Sequence, residues 1–209
     1  LPKTFLSVMG LIQSSFDKTM ILNHQGVAVV GEYHVGHKFG SIIKVIMDSF
    51  GRVWSPFFML NAEINTNESK VLLVKRYLEL AAIYIFLGLG VIAFSEEAIE
   101  LLLTEEYYPA IFLTPFFVYY FLIGDILGML YVNQIMYAKR MHYMIPSNFI
   151  GFFGNIALNI LLIPIWGALG AVIATILTAL IQGLVTFQLG QKCYLLKKVG
   201  KKIFILFCI

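Results

Sequence analysis

The chain has 209 residues, 59% of them hydrophobic and 13% charged, with a formal net charge of +3 and a mean hydropathy of +0.84. Soluble domains carry about 25% charged residues, so this composition excludes a globular soluble protein, and the small net charge offers no basic surface for nucleic acid. An all-α integral membrane protein remains: a polytopic helix bundle of six transmembrane helices, with a seventh apolar segment cut short.

Residues 4–22 form the first predicted span, with Asp17 and Lys18 near its far end. Residues 23–31, NHQGVAVVG, are polar and punctuated by glycine, which predicts a turn. The second span, 31–58, carries the chain's main anomaly. At about 100° per residue, His34, His37, Lys38, Ser41, Lys44, Asp48, Arg52 and Ser55 fall on an arc of roughly 120°. The opposite face holds Phe39, Ile42, Ile43, Ile46, Phe50, Val53 and Phe57, with Gly36, Gly40 and Gly51 on a flank. A charge at the bilayer centre costs on the order of 3 kcal/mol on insertion scales. Lys44, Asp48 and Arg52 are therefore expected to face a wet cavity or a partner helix. Their i,i+4 steps also permit an ion-pair ladder within the helix. A transport path and a structural ladder are the two readings of the stripe.

Residues 61–75 read as a polar loop, and 77–94 as a third span with Glu79 near its start. Glu96, Glu97, Glu100, Glu105 and Glu106 alternate with apolar residues in the next connection, which predicts an interfacial amphipathic turn. The fourth span, 111–137, is aromatic and interrupted by Gly124 and Asp125. Lys139, Arg140 and His142 follow it. Asn155 and Asn159 share one face of the fifth span, 144–163. The 164–167 turn is so tight that the sixth span, 168–189, must return antiparallel, and Gly167, Gly170, Ala171, Ala174 and Thr175 give it a small-residue surface for close packing.

A basic loop, 191–202, precedes the apolar segment 203–209. That segment is far shorter than the ~20 residues a span needs, and the chain opens on Leu1, so a fragment is expected. Cys193 and Cys208 read as free thiols. Lys3, Lys70, Lys75, Arg76, Lys139, Arg140 and the lysines from 192 to 202 fall in one set of alternating loops, which the positive-inside rule makes cytoplasmic. The expected location is the inner, cytoplasmic membrane of the cell as a multi-pass protein, and the glutamate-rich loop faces out.

Several motifs then occur in a fixed order: LPKTF opening the first span and FDKTMIL closing it, VVGEYHVGHKFGSI, WSPFF, and GNIALNILLIPIWGALGAVIAT. Together they resemble the polysaccharide flippases of the MOP superfamily, the Wzx-type lipid-linked oligosaccharide exporters, over nearly the whole chain. The resemblance implies two six-helix lobes around a central cavity, this chain supplying the C-terminal lobe. It also implies transfer of an undecaprenyl-diphosphate-linked repeat unit of O-antigen, capsule or exopolysaccharide to the outer leaflet, by alternating access. Coupling to H+ or Na+ goes with it, and polysaccharide polymerase or assembly proteins are the implied partners. A basic residue after the G.Y element matches Lys38. Where the family often has Asp-Arg, this chain has Asp17-Lys18, and lysine lacks the bidentate fork of arginine.

The candidate site follows. Lys38, Lys44, Arg52 and Lys18 are cavity cations for a diphosphate; Asp48, Asp17 and Asp125 are ion-coupling or ion-pairing carboxylates; Asn155 and Asn159 are candidates for sugar contact, with interhelical hydrogen bonding as the alternative. Glu32, His34 and His37 can be drawn as a metal site, but histidines near the interface are commonly solvated, and no metal or cofactor is expected. No Gly-rich phosphate loop and no nucleophile beside a base is present, which points away from an enzyme. The rivals are a multidrug-extrusion-type cation antiporter, a membrane glycosyltransferase or polymerase of envelope sugars, and a non-transporting scaffold subunit.

Overall fold

The computed structural model describes residues 2–196. Lys197, Lys198, Lys201, Lys202, Cys208 and the apolar segment 203–209 lie outside the described residues. Within them 93% of the chain is helical and no strand occurs. The order is α1 (Pro2–Gln25), α2 (Val27–Gly40), α3 (Ile42–Ile64), α4 (Asn67–Leu102), α5 (Ala110–Tyr137) and α6 (Met144–Cys193), with single 3₁₀ turns at Glu105–Tyr107 and Met141–Tyr143. Three of these helices, α4, α5 and the stretch containing α6, are long and apolar enough to cross a membrane.

Helix α5 is the hub. Its sequence has no polar stripe, and buried positions run along its length, from Leu113 and Phe117 through Ile123 and Ile126 to Leu130 and Ile135, as suits a helix that is apolar all round, with Phe112, Tyr119 and Met136 exposed. It packs against α2, α3, α4 and α6. Glycines let three of these neighbours approach: a Cβ placed on Gly40 of α2 would stand 2.5 Å from Phe117 Cβ, and one on Gly88 of α4 would stand 2.7 Å from Leu122 Cδ1. Gly183 and Gly190 of α6 likewise abut Leu127 and Tyr131. Small residues serve this purpose where lipid removes the hydrophobic drive between helices. Side-chain donors from α3 and α4 then reach the carbonyls of α5, Tyr77 OH to Ile126 at 2.8 Å and Trp54 Nε1 to Met129 at 3.3 Å.

Helix α6 is two arms. Gly167 has φ 58° and ψ −134°, a conformation that strains any residue with a Cβ, and there the chain reverses, inside the segment read as a turn. Across the arms Asn155 bonds Thr175 and Ser147 bonds Thr186. As one partner advances the other recedes, so the arms run antiparallel. Gln25, at the end of α1, caps the second arm: its Oε1 accepts from the Ala168 N–H at 2.7 Å.

The connections differ from the expected ones. The 61–75 stretch is not a loop: α3 runs to Ile64, and α4 starts at Asn67. Asn65 closes α3 in the left-handed region, and Thr66 Oγ1 accepts from Ser69 N at 3.1 Å as the N-cap of α4. Buried positions at helical spacing, Ser69, Leu73, Tyr77, Ala81, Tyr84 and Gly88, extend the packed stripe past the apolar segment on which hydropathy rests. At its other end α4 absorbs Glu96, Glu97 and Glu100, leaving only Glu105 and Glu106 in the 3₁₀ turn. At 1.5 Å per residue the 36 residues of α4 extend ~54 Å, well beyond ~30 Å of hydrocarbon, so its charged ends sit outside the apolar zone. The expected turn at 23–31 shrinks to Gly26, φ 87°.

The striped segment is also not one helix. It begins at Val27 and breaks at Ser41, whose hydroxyl donates to the Lys38 carbonyl at 2.8 Å, an alternative partner that bends helices. The next backbone bond, Lys44 N to Ser41 O, spans only three residues. The packed face is the glycine flank, Gly36, Gly40, Ile43, Met47, Trp54 and Phe58, while Ile42, Val45, Phe50 and Val53 are exposed, a surface suited to lipid.

Candidate functional site

Two polar clefts lie along α2 and α3, one on each side of the Ser41 break. The first is built on Asp17. Although α1 carries it in an apolar stretch, Asp17 is only 5% exposed, and a carboxylate so placed requires donors. They come from two other helices: Asn159 Nδ2 of α6 donates to Oδ1 at 2.5 Å, and Tyr33 OH of α2 donates to Oδ2 at 3.4 Å. Asn159 also donates to Asn155 Oδ1 at 2.9 Å, Asn155 donates to Thr175 Oγ1 at 3.3 Å, and Thr175 donates to the Ala171 carbonyl at 2.8 Å. Both asparagines are fully buried. Their amides are engaged in this interhelical network, which is the alternative to sugar contact; neither reaches a cleft wall.

In front of this network opens a cleft of about 290 Å³ lined by Asp17, Lys18, Tyr33, His34, His37 and Lys38, with Tyr120 behind. Lys18 comes from α1 and Lys38 from α2, so two cations expected on sequence grounds converge. Asp17 is satisfied from behind, and no ion pair involving either lysine occurs among the described residues; Arg76–Glu79, at 2.7 Å, is the pair they contain. His37 stands edge-on between the rings of Phe117 and Phe121, 5.2 and 5.3 Å away, and no group of three or more His, Cys, Asp or Glu is placed to hold a metal among the described residues. Glu32 and His34 therefore do not form the metal site that can be drawn from their spacing.

The Asp17 network has a second chemical capacity. Asn159 Oδ1 is buried with no hydrogen-bond partner, on the same amide whose nitrogen donates to Asp17 and Asn155. Hard oxygens with a single formal charge suit a monovalent alkali ion, or a proton on the carboxylate, better than a divalent metal.

The second cleft, about 540 Å³, lies between α3, α4 and α5, lined by Asp48, Arg52, Ser55, Tyr84, Asp125 and Asn133, with glycines at 51 and 128. The expected ladder is not formed: no Lys44–Asp48 or Asp48–Arg52 pair closes within 4 Å among the described residues. Arg52 instead donates to Ser49 Oγ at 3.4 Å, and Lys44 Nζ sits 6.0 Å from the Phe121 ring centre, a longer cation–π approach. Lys44, Asp48 and Arg52 all lie on α3, beyond the Ser41 break, and are exposed. Asp125 Oδ2 is buried without a hydrogen-bond partner.

Of the eight polar positions read as one stripe, His34, His37 and Lys38 line the first cleft and Asp48, Arg52 and Ser55 the second, and Asp125 joins the second from the hub helix. Tyr33, Tyr120, Thr175, Tyr84 and Asn133 were not among the expected site residues. The tyrosines are indistinguishable in sequence from interfacial belt residues; only the i,i+4 pair Asn155 and Asn159 pointed to the network. Comparison with protein-family models, curated proteins and solved structures gives no match.

Proposed function

We propose that this chain is the C-terminal lobe of a flippase that moves a diphosphate-linked oligosaccharide lipid from the cytoplasmic to the outer leaflet of the cell membrane, crossing that membrane six times. The observation that carries the reading is the meeting of Lys18 and Lys38 over a carboxylate already satisfied from behind. Held inward by Asn159 and Tyr33, Asp17 closes no ion pair with either lysine, and both line the cleft that would receive an anionic head group. A diphosphate cannot cross ~30 Å of hydrocarbon unaided, and exposed cations along α1 to α3 offer it a path. Asp17, with Asn155, Asn159 and Thr175, is the proposed coupling site for H+ or Na+. The motif order in FDKTMIL, VVGEYHVGHKFGSI and GNIALNILLIPIWGALGAVIAT supports the same family, with non-enzymatic transport and polysaccharide assembly proteins as partners.

A cation antiporter of the same superfamily is the second reading, favoured by the depth of Asp17 and Asp125 relative to Lys38 and Lys44, which are exposed. Complementation separates the two. In the complete transporter, expressed in cells lacking their own repeat-unit flippase, Lys18, Lys38, Lys44 and Arg52 are changed singly to glutamine, and surface polysaccharide is measured beside membrane protein level. Loss of export at normal protein level in the Lys18 and Lys38 variants supports the flippase. A wild type that restores no export, with organic-cation resistance that depends on Asp125, supports the antiporter; export that persists in all four variants makes the cationic stripe structural.

A further inference from the structure

The second cleft is not used by the head-group argument, and its lining chemistry differs from that of the first. It presents acceptors and donors together: the carboxylates of Asp48 and Asp125, the guanidinium of Arg52 and the hydroxyl of Ser55, which itself donates to Asn133 Oδ1 at 2.7 Å. One acceptor, Asp125 Oδ2, is buried with no donor, which is costly unless a bound partner supplies one. The floor is open: a Cβ built on Gly51 or Gly128 meets no atom within 4 Å. The walls beside the polar groups are apolar, Met47, Met129 and Val132. A volume of about 540 Å³ falls within the range of small-molecule sites.

Each simple ligand class is disfavoured by part of this lining. A phosphate meets two carboxylates. A metal ion or organic cation meets Arg52, with Lys44 also within electrostatic reach of Asp125. An acyl chain offers no donor to the carboxylates of Asp48 and Asp125. A neutral polyhydroxyl ring suits the whole lining: its hydroxyls donate to Asp48 and Asp125 and accept from Arg52, while its C–H faces lie on Met47, Met129 and Val132. The position also suits the far end of a two-part ligand: Asp48 lies ten residues beyond Lys38, past the Ser41 break, with Lys44 between.

We propose that the α3–α4–α5 cleft is the saccharide subsite, in which Asp125 and Asp48 accept hydrogen bonds from sugar hydroxyls while the diphosphate rests at Lys18 and Lys38. This inference rests on the flippase reading and is tested so that the two can fail separately. The complete transporter in nanodiscs is titrated with two ligands, undecaprenyl diphosphate and the same lipid carrying its saccharide repeat unit. The wild type is expected to bind the glycosylated lipid at least about tenfold more tightly, the equivalent of one hydrogen bond to a charged group. Asp125→Asn, which keeps shape, and Gly128→Leu, which fills the open floor, are expected to abolish that difference while leaving binding of the bare lipid unchanged.

A wild type that binds neither lipid overturns the flippase reading. Variants that keep the tenfold preference overturn the subsite and leave the flippase intact. Variants that lose the bare lipid as well, while remaining monodisperse, assign the cleft to the head group and also overturn the proposal. A wild type that binds both lipids equally places no sugar recognition in this lobe and does the same.

Discussion

Replacing Gly40 with alanine isolates the contact that seats the broken striped segment on the hub. The new Cβ would stand 2.5 Å from Phe117 Cβ and 3.1 Å from the Phe117 carbonyl carbon and the Val118 nitrogen. Two of these atoms are backbone, so no rotamer change relieves the clash, and α2 must move away from α5. Overpacking of this kind costs about 1–3 kcal/mol. Against it stands the helix-propensity gain of alanine over glycine, about 0.8–1 kcal/mol. Gly51→Ala supplies the control: it lies in α3, also in helical backbone, and its Cβ meets nothing within 4 Å. The propensity terms largely cancel in the comparison, so Gly40→Ala is expected to be about 1–3 kcal/mol less stable than Gly51→Ala. Reversible unfolding in mixed detergent micelles, with SDS as denaturant, measures that difference directly. If the two variants agree to within about 0.5 kcal/mol, the scatter of neutral substitutions, then α2 does not rest on α5 through Gly40 and the packing described for the hub is wrong.

Two further predictions concern the polar interior. Asn159→Leu removes the 2.5 Å donor to Asp17 and leaves a buried acceptor short of a partner, a loss of about 1–3 kcal/mol; Asp17→Asn in the same background should recover part of it, and the absence of any recovery in a double-mutant cycle would separate the two residues energetically. Gln25→Ala frees the Ala168 N–H that Gln25 caps, for a loss of about 1 kcal/mol. Gly167→Ala should lose more, because it combines positive φ with a collision against the Gln25 amide. Thermal stability in detergent ranks the two variants, and the opposite order would contradict the reversal at Gly167.

The amino-acid sequence marked the chain as apolar enough to cross a membrane. A chain with 59% hydrophobic residues that lies in lipid has to satisfy its backbone polar groups internally, in helices or a closed barrel, and long apolar runs marked α4, α5 and both arms of α6 before any coordinates. Pro164 and Gly167 announced the reversal, and Lys18, Lys38, Asp48, Arg52 and Asp125 were recognisable as anomalies because charge in such segments demands a reason. Tertiary structure alone decided which of them meet. Asp17 and Asn159 are 142 positions apart, and nothing in either helix names the other.

Periodicity placed the polar residues of the striped segment on one arc, but it assumed an unbroken helix. Ser41 competes for the Lys38 carbonyl, and at that break the predicted stripe divides between two clefts. Nor could an apolar face announce what it packs against, since lipid and a neighbouring helix are equally apolar. Gly36, Gly40 and Gly88 carried that information as missing Cβ atoms, legible only once Leu113, Phe117 and Leu122 stood opposite them.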